Sequence, residues 1–203
     1  MMYDYLNNLK NTKKFMPKTV LDIGAWNGFW TKKVKLIWPD AVYTCIEAGP
    51  KYEKNLKEIT PNYHIAVLGN ENKKIEMYLR EIKKGDKKKI TYTKGSSVFG
   101  VFKDHESRQM QTLNELVDNN AQFDLIKQDV QGAEILVMQG APEIFKRATY
   151  VIQEVNLYKD KAFPGIPDEK EMDDYMVQLG FTNNEVIAKH DGVDQIDKIY
   201  YKG

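Results

Sequence analysis

The stretch Val20–Trp30, VLDIGAWNGFW, decides how the chain folds. A short aliphatic run closes on Asp22 and Ile23, and glycines follow at 24 and 28. Such a run reads as a buried strand entering a turn. Phe29 or Trp30, then Val34, Ile37 and Trp38, recur at helical spacing. A strand, a glycine turn and a helix in that order open a nucleotide-binding half of an α/β sheet. A dinucleotide fingerprint, G-x-G-x-x-G, needs its second glycine where this chain has Trp26. That glycine lets the backbone approach a pyrophosphate, and an indole obstructs the approach. A phosphate-binding P-loop is excluded because no G-K-[ST] follows. The pattern is instead D-x-G-x-x-x-G, from Asp22, Gly24 and Gly28.

A nucleoside cofactor without a pyrophosphate is therefore expected, and S-adenosylmethionine meets that condition. Asp22 is placed to bond its ammonium, directly or through water. Backbone N–H groups of Gly24, Ala25, Trp26, Asn27 and Gly28 are expected to receive its carboxylate at a helix N-terminus. Glu47 ends the next strand, where a ribose diol needs an acceptor of two hydroxyls. Ala48, Ala66 and Asp129 complete the expected cofactor set. The alternative for Asp22 and Glu47 is a plain strand-end capping role.

Outward from the turn, strands and helices alternate. VYTCIEA is a second strand, and Pro50 opens a helix bearing Tyr52, Leu56 and Ile59 on one face. YHIAVLG is a third strand and KIEMYLRE a further extended piece. Lys83 to Met110 is the least regular section. TLNE at 112–115 is a capping box, with Leu113, Leu116 and Val117 on the face of the helix it starts. FDLIKQDV is a strand, QGAEILVM turns into a helix near Ala133, and TYVIQEV is another strand. Met172, Tyr175, Met176 and Leu179 mark a helix that Gly180 stops. FTNNEVIA and DKIYYK form a closing hairpin. The alternation implies a mostly parallel sheet with right-handed crossovers, and the hairpin adds an antiparallel strand at one edge.

The second dense stretch is DLIKQDVQGAE. Asp129 ends a buried strand beside the first and is expected to face the same cleft as Gly24. Lys127 lies two residues back, on the same side, and needs an acidic partner in Asp129 or Glu134. Glu134 also suits the first turn of a helix for electrostatic reasons alone. Glu154 and Asn156 share a face of the next strand and, with Asp129, are placed around an acceptor. No Asp-Asp or Asp-Asn pair falls at one turn, and the three histidines lack ligand spacing, so no metal is expected. His64 reads as core and His190 as solvated. His105, in the irregular section, is the histidine placed to act as a base.

The chain has 203 residues and a formal net charge of +1. One domain is expected, with residues 1–18 as a helical extension. The balanced charge gives no support to nucleic-acid binding. Cys45 is the only cysteine, which excludes an internal disulfide and suits a reducing compartment. No apolar run resembles a secretory leader or approaches the roughly 20 residues of a membrane span. A cytoplasmic protein without a membrane partner is expected, and a homodimer is compatible with this reading.

Two segments together, VLDIGAWNGFWT and FDLIKQDVQGAEILVMQGAPEIF, resemble the FkbM family of S-adenosylmethionine-dependent methyltransferases. The family's first block, D-I-G-A-N-x-G-x-[FY]-[ST], is matched at Asp22, Ile23, Gly24, Ala25 and Gly28. Its second, I-K-[ILM]-D-[VI]-E-G-x-E and a later G-A, is matched at Ile126, Lys127, Asp129, Val130, Gly132, Glu134, Gly140 and Ala141. TLNEL resembles its T-L-D-x-[LF], and GSSVF a serine-containing stretch before it. Trp26 replaces the usual Asn, Gln131 the usual Glu, EAGP the usual E-P, and Gln128 an apolar residue. The glutamine at 131 suggests a position the chemistry does not need. The resemblance implies a class I methyltransferase fold, a Rossmann-like three-layer sandwich around a seven-stranded, mostly parallel sheet with an antiparallel last strand. It also implies methylation of a hydroxyl, often on a sugar or glycoside.

Methyl transfer is an in-line displacement, so alignment of the reacting atoms is the main task. A hydroxyl nucleophile gains from a base, and Asp129, Glu154 and His105 are the candidates. Asn156, Ser96 and Ser97 are expected to orient a small-molecule or glycan acceptor. KAFPGIPD and the section Lys83 to Met110 are expected to cover it. The lysine run at 83–89 reads as a solvated hairpin tip or as an attractant for an acidic acceptor. The rival readings are a nucleic-acid methyltransferase, a non-catalytic binding module and, third, a nicotinamide-dependent oxidoreductase. The first would need a basic stripe or a stacking aromatic pair.

Overall fold

The computed structural model describes residues 2–84, 87–91, 96–99, 103–159, 165–190 and 192–203, with the backbone alone over 80–84 and 87–91. The opening stretch forms strand β1 (Thr19–Ile23), a turn, and helix α2 (Phe29–Ile37), preceded by helix α1 (Met2–Thr12). Strand β2 (Val42–Glu47) pairs with β1 in parallel, and after a 3-10 turn at Pro50–Tyr52 and the short helix α3 (Glu53–Lys57), β3 (Asn62–Ile65) pairs with β2. Pro50 sits at the first position of that turn, as its fixed φ and missing N–H favour.

The expected third strand is broken at Ala66. Beyond it, β4 (Val67–Leu68) leaves the main sheet and joins a separate one with β5 (Lys73–Tyr78) and β8 (His105–Gln111). The KIEMYLRE piece is likewise two strands, β5 and β6 (Arg80–Lys84), and among the described residues β6 pairs only with β7 (Lys87–Thr91). The section expected to be irregular thus contains two strands, β7 and β8. The capping box at Thr112–Glu115 forms with both reciprocal bonds, but it starts a single 3-10 turn, Leu113–Glu115, in place of a helix. An Asx turn, Asn120 N–H to Asp118 Oδ1 at 2.6 Å, takes over the backbone soon after.

The main sheet is completed by β9 (Leu125–Gln128), β10 (Tyr150–Asn156), β11 (Asn183–Lys189) and β12 (Gln195–Tyr201). Its order is β11-β12-β10-β9-β1-β2-β3, seven strands, and β12 alone runs against the rest. Helices α4 (Glu134–Gly140), α5 (Pro142–Arg147) and α6 (Glu169–Gln178) cross over between strands. Successive strand residues point to opposite faces. Leu21, Ile126, Val151 and Tyr200 bury against Val137, Phe145 and Met176 on one side. Val20, Leu125, Ile152 and Ile199 bury against Leu6, Leu9, Trp30, Val34 and Trp38 on the other. Each such aliphatic side chain contributes about 1.5–3 kcal/mol on burial. Two helical layers around one sheet make the Rossmann-like sandwich. Phe29 is 52% exposed, so Trp30 is the residue that opens the helical core stripe. Among the described residues no helix is long and apolar enough to cross a membrane.

Candidate functional site

The carboxyl ends of β1, β2 and β9 meet at the opening turn. Gly24 has φ +78°, and a Cβ there would lie 1.8 Å from the Asp129 carbonyl oxygen. This glycine is therefore required by the close approach of the end of β9. Gly24 and Ala25 both donate to Ile46 O at 2.9 and 3.0 Å, and Gly28 donates to Ala25 O at 2.7 Å. Phe29 N–H donates to Asn27 Oδ1 at 3.1 Å, and Trp26 N–H to Glu47 Oε2 at 2.8 Å. These N–H groups are committed to acceptors within the chain. Of the five N–H groups expected to receive the cofactor carboxylate, those of Gly24, Ala25, Trp26 and Gly28 thus have acceptors within the chain.

Trp26 adopts φ +50°, a left-handed conformation that costs an L residue about 1–2 kcal/mol. Its indole Nε1 donates to Tyr52 Oη at 2.7 Å, with the rings edge to face. Glu47 accepts from Trp26 N–H through one oxygen and from Gly49 N–H, at 2.7 Å, through the other. Burial raises its pKa, and the two N–H bonds oppose that rise. Each oxygen keeps a lone pair for a further donor. Ala48, Ala66, Val67, Leu68, Met77 and Val98 form an apolar slot beside it.

Asp22 is fully buried. Thr31 Oγ1 donates to its Oδ2 at 2.5 Å, while Oδ1 has no hydrogen-bond partner among the described residues. Burial raises its pKa against the pull of Lys127, which is aligned with it on β9. Cys45 lies 3.4 Å from Thr31 Oγ1, and burial pushes its thiol up to about 12, so it is an inert small hydrophobe.

By strand alternation Lys127, Asp129, Glu154, Asn156, Gln195 and Asp197 share the sheet face of Val20 and Ile152, the face α1 and α2 cover. Lys127 Nζ stands 3.2 Å from Asp129 Oδ2. Burial alone would lower the ammonium's pKa, but Asp129, Asp22 and Asp197 together raise it. Burial alone would raise Asp129, but Lys127 and Gln131 bring it below the usual carboxylate range. Gln131 Nε2 donates to Asp129 Oδ1 at 2.9 Å and to Glu154 Oε2 at 2.7 Å. Position 131, which looked dispensable, is thus a bridge between the two expected catalytic carboxylates. Burial, with the charge on Asp129, holds Glu154 well above its ordinary pKa. The two carboxyls are thus shifted in opposite directions, Asp129 down and Glu154 up.

Ser97 Oγ donates to Gln131 O at 2.8 Å and so fixes the bridge's backbone, which has φ +57°. Asn156 accepts from Gln195 Nε2 at 3.1 Å. Glu134 accepts Val130 N–H at 2.9 Å, and burial raises its pKa to about 7. It braces the β9–α4 turn. Gln128 is tolerated in the core because Gln153, its register partner on β10, donates to it at 3.1 Å, while Gln128 itself donates to Glu134 O.

One cavity of about 370 Å³ runs through these groups. Of the residues expected at the site, Gly24, Ala25, Trp26, Glu47, Ala48, Ala66, Asp129 and Ser96 line it. Asp22, Asn27, Gly28, Ser97, Glu154, Asn156 and His105 do not. His105 starts β8, half-exposed, with its ring tilted against Tyr78 and 3.7 Å from Glu76. His64 is half-buried on the edge strand β3, and burial lowers its pKa. The loop 161–164, and the side chains of the lysine run at 83–89, lie outside the described residues.

Sequence reasoning missed part of the cavity's lining, namely Tyr3 from α1, Phe29 and Trp30 from α2, and Ala188, His190 and Asp197 from the terminal hairpin. His190 Nε2 lies 3.1 Å from Asp197 Oδ2, so this histidine is not simply solvated. The reversed direction of β12 explains the geometry: its first residues lie at the carboxyl edge of the parallel strands.

No curated protein matches the sequence. Among solved structures the chain is similar to a methyltransferase FkbM from Methylobacillus flagellatus KT, with a TM-score of 0.63 and 11% identity over 99% of this chain and 48% of that one. A putative O-methyltransferase from Nostoc punctiforme PCC 73102 gives 0.50 and 14%, over 98% and 55%. An S-adenosylmethionine-dependent methyltransferase from Clostridium acetobutylicum ATCC 824 gives 0.56 and 9%, over 100% and 91%. The chain spans about half the length of the first two. At these identities the likeness is one of fold, the class I methyltransferase sheet. The family model described as the methyltransferase FkbM domain matches residues 22–182. That match covers most of the sequence, and the chain belongs to the FkbM methyltransferase family.

Proposed function

We propose that this chain transfers a methyl group from S-adenosylmethionine to a hydroxyl of a small-molecule or glycan acceptor, most simply a sugar. The observation that carries the cofactor is Glu47, a carboxylate fixed by two backbone N–H bonds beside an apolar slot. That pairing suits a nucleoside, with the diol on the carboxylate and the base in the slot. When bound, this cofactor supplies an electrophilic methyl on a cationic sulfur. The lining suits such a cation, since Glu47, Asp129 and Asp197 face Lys127 across one cavity. The same acidic lining opposes a pyrophosphate, which counts against a nicotinamide cofactor. It also opposes a nucleic-acid backbone. The orphan Oδ1 of Asp22 is an acceptor for an ammonium relayed by water. Asp129, clamped by Lys127 and Gln131, is placed to accept a hydrogen bond from a hydroxyl at the centre of the cleft.

Calorimetry with S-adenosylmethionine and with NAD tests the cofactor. Binding of the first and not the second is expected, and the reverse result defeats the reading. Mass spectrometry of hydroxyl-bearing glycosides incubated with a labelled methyl donor tests the acceptor. A methyl mass increment is expected on hydroxyl oxygen, and an increment only on nitrogen or carbon would remove the O-methylation claim.

A further inference from the structure

We infer that Lys127 receives the α-carboxylate of the cofactor's amino-acid end, in place of the N–H groups of the glycine turn. The inference rests on the S-adenosylmethionine reading and deepens it.

An amino-acid end is a zwitterion, with an ammonium and a carboxylate on one carbon. It needs an anionic and a cationic receiver side by side. The turn offers little to the carboxylate. The N–H groups of Gly24, Ala25, Trp26 and Gly28 already have acceptors within the chain. Helix α2 begins just beyond, and its Phe29 N–H is held by Asn27 Oδ1.

Lys127 offers more. Among the described residues that line the cavity it is the one lysine or arginine. Its side chain is 8% exposed, so solvent ions screen its charge little. An ammonium has three donors. One goes to Asp129 Oδ2 at 3.2 Å, and Nζ makes no second hydrogen bond among the described residues. Buried donors are seldom left without partners, so the remaining N–H groups point to a ligand. The Trp30 ring, its centroid 6.0 Å from Nζ, closes one side of the ammonium without supplying an oxygen acceptor.

The strand register sets this cation beside the right acid. Lys127 is the register partner of Asp22 on the neighbouring strand. Paired strands stand about 4.8 Å apart, and register partners share a sheet face. The acid suited to the ammonium and the cation suited to the carboxylate are therefore adjacent, on β1 and β9. Glu47, suited to the ribose, ends β2 on the other side of β1. The receivers fall on consecutive strands, in the order ribose, ammonium, carboxylate.

The charge balance selects a zwitterion over a lone anion. Asp22, Asp129 and Asp197 act on Lys127 together and keep it charged despite burial. A lone anion would be repelled by these acids as it approached the lysine. A zwitterion carries its own compensating ammonium, and the sulfonium adds a further positive charge.

The test is calorimetry on the full chain with S-adenosylmethionine, its decarboxylated analogue and 5′-methylthioadenosine. The analogue keeps the ammonium and the sulfonium but lacks the carboxylate. Methylthioadenosine lacks the amino-acid end and the positive charge on sulfur. The wild type should bind S-adenosylmethionine about tenfold or more tighter than the decarboxylated analogue. Lys127→Met is close in shape and uncharged. It should bring the two affinities to within about twofold by weakening S-adenosylmethionine, and should leave methylthioadenosine within about twofold of wild type. Lys127→Gln keeps a donor for Asp129 and should behave in the same way; it decides the matter if Lys127→Met fails to bind methylthioadenosine. Failure of S-adenosylmethionine to bind the wild type defeats the methyltransferase reading and this inference with it. Equal wild-type affinity for the two charged ligands overturns the assignment of Lys127 alone. So does a full carboxylate preference retained in a variant that still binds methylthioadenosine, and that result would return the carboxylate to the turn.

Discussion

The backbone N–H of Trp26 donates to Glu47 Oε2 across 2.8 Å, joining the turn after β1 to the carboxylate that ends β2. In the proposed cofactor site the turn would act through this side chain. Its own N–H groups are spent on Ile46, Ala25, Asn27 and Glu47. Hydrogen bonds to a charged group contribute about 1.5–3 kcal/mol. Glu47→Gln should therefore weaken S-adenosylmethionine binding about tenfold or more by calorimetry, with little change in thermal stability. Unchanged affinity would remove Glu47 from the cofactor site.

Trp26→Asn tests what the indole contributes. Asparagine tolerates φ +50° better, which recovers about 1 kcal/mol. Loss of the Tyr52 hydrogen bond removes about as much. Stability by denaturant titration should stay within about 1 kcal/mol of wild type. Glu47 keeps its N–H donor, so cofactor affinity should fall less than in Glu47→Gln. A larger fall would show that the indole itself holds the ligand.

Much of the main sheet can be read from the sequence, because its strands are continuous apolar runs bounded by glycine or proline. Strand β8 cannot. Its residues His105, Ser107 and Gln109 alternate with Glu106 and Arg108, and only Met110 is buried. Its strand character comes from pairing with β5, a tertiary fact. The lining around Gly24 and Glu47 was similarly readable, since these residues carry a local pattern. The lining from α1 and the terminal hairpin was not. His190, Asp197 and Tyr3 lie far apart in sequence and converge only through the reversed β12 and the packing of α1. Gln131 misled for a related reason. A bridge between two strands shows nothing of itself until Asp129 and Glu154 are seen together.

Gln131→Glu tests the bridge. The substitution replaces an amide that donates to both Asp129 and Glu154 with a third acid. Like charges at this separation cannot all ionise. The variant should be less stable, by about 1–3 kcal/mol. The deficit should grow with rising pH, because the folded state holds protons that the unfolded chain releases. Thermal melts at several pH values check this. A deficit independent of pH would mean that the amide acts by shape alone.

Glu134 gives a separate pH signature. Burial lifts its pKa from 4.5 to about 7 in the folded protein. Between those values the unfolded chain has released this proton while the folded chain retains it. This carboxyl therefore makes stability fall as pH rises across that window, by about 3 kcal/mol in all. Glu134→Gln cannot titrate. It keeps an oxygen for Val130 N–H, the bond that braces the β9–α4 turn. The variant should lose stability at acidic pH, where the protonated acid fits best, and the gap to wild type should narrow toward neutral pH. Denaturant midpoints for both proteins across that range decide the matter. Parallel curves would show that Glu134 titrates normally in the fold.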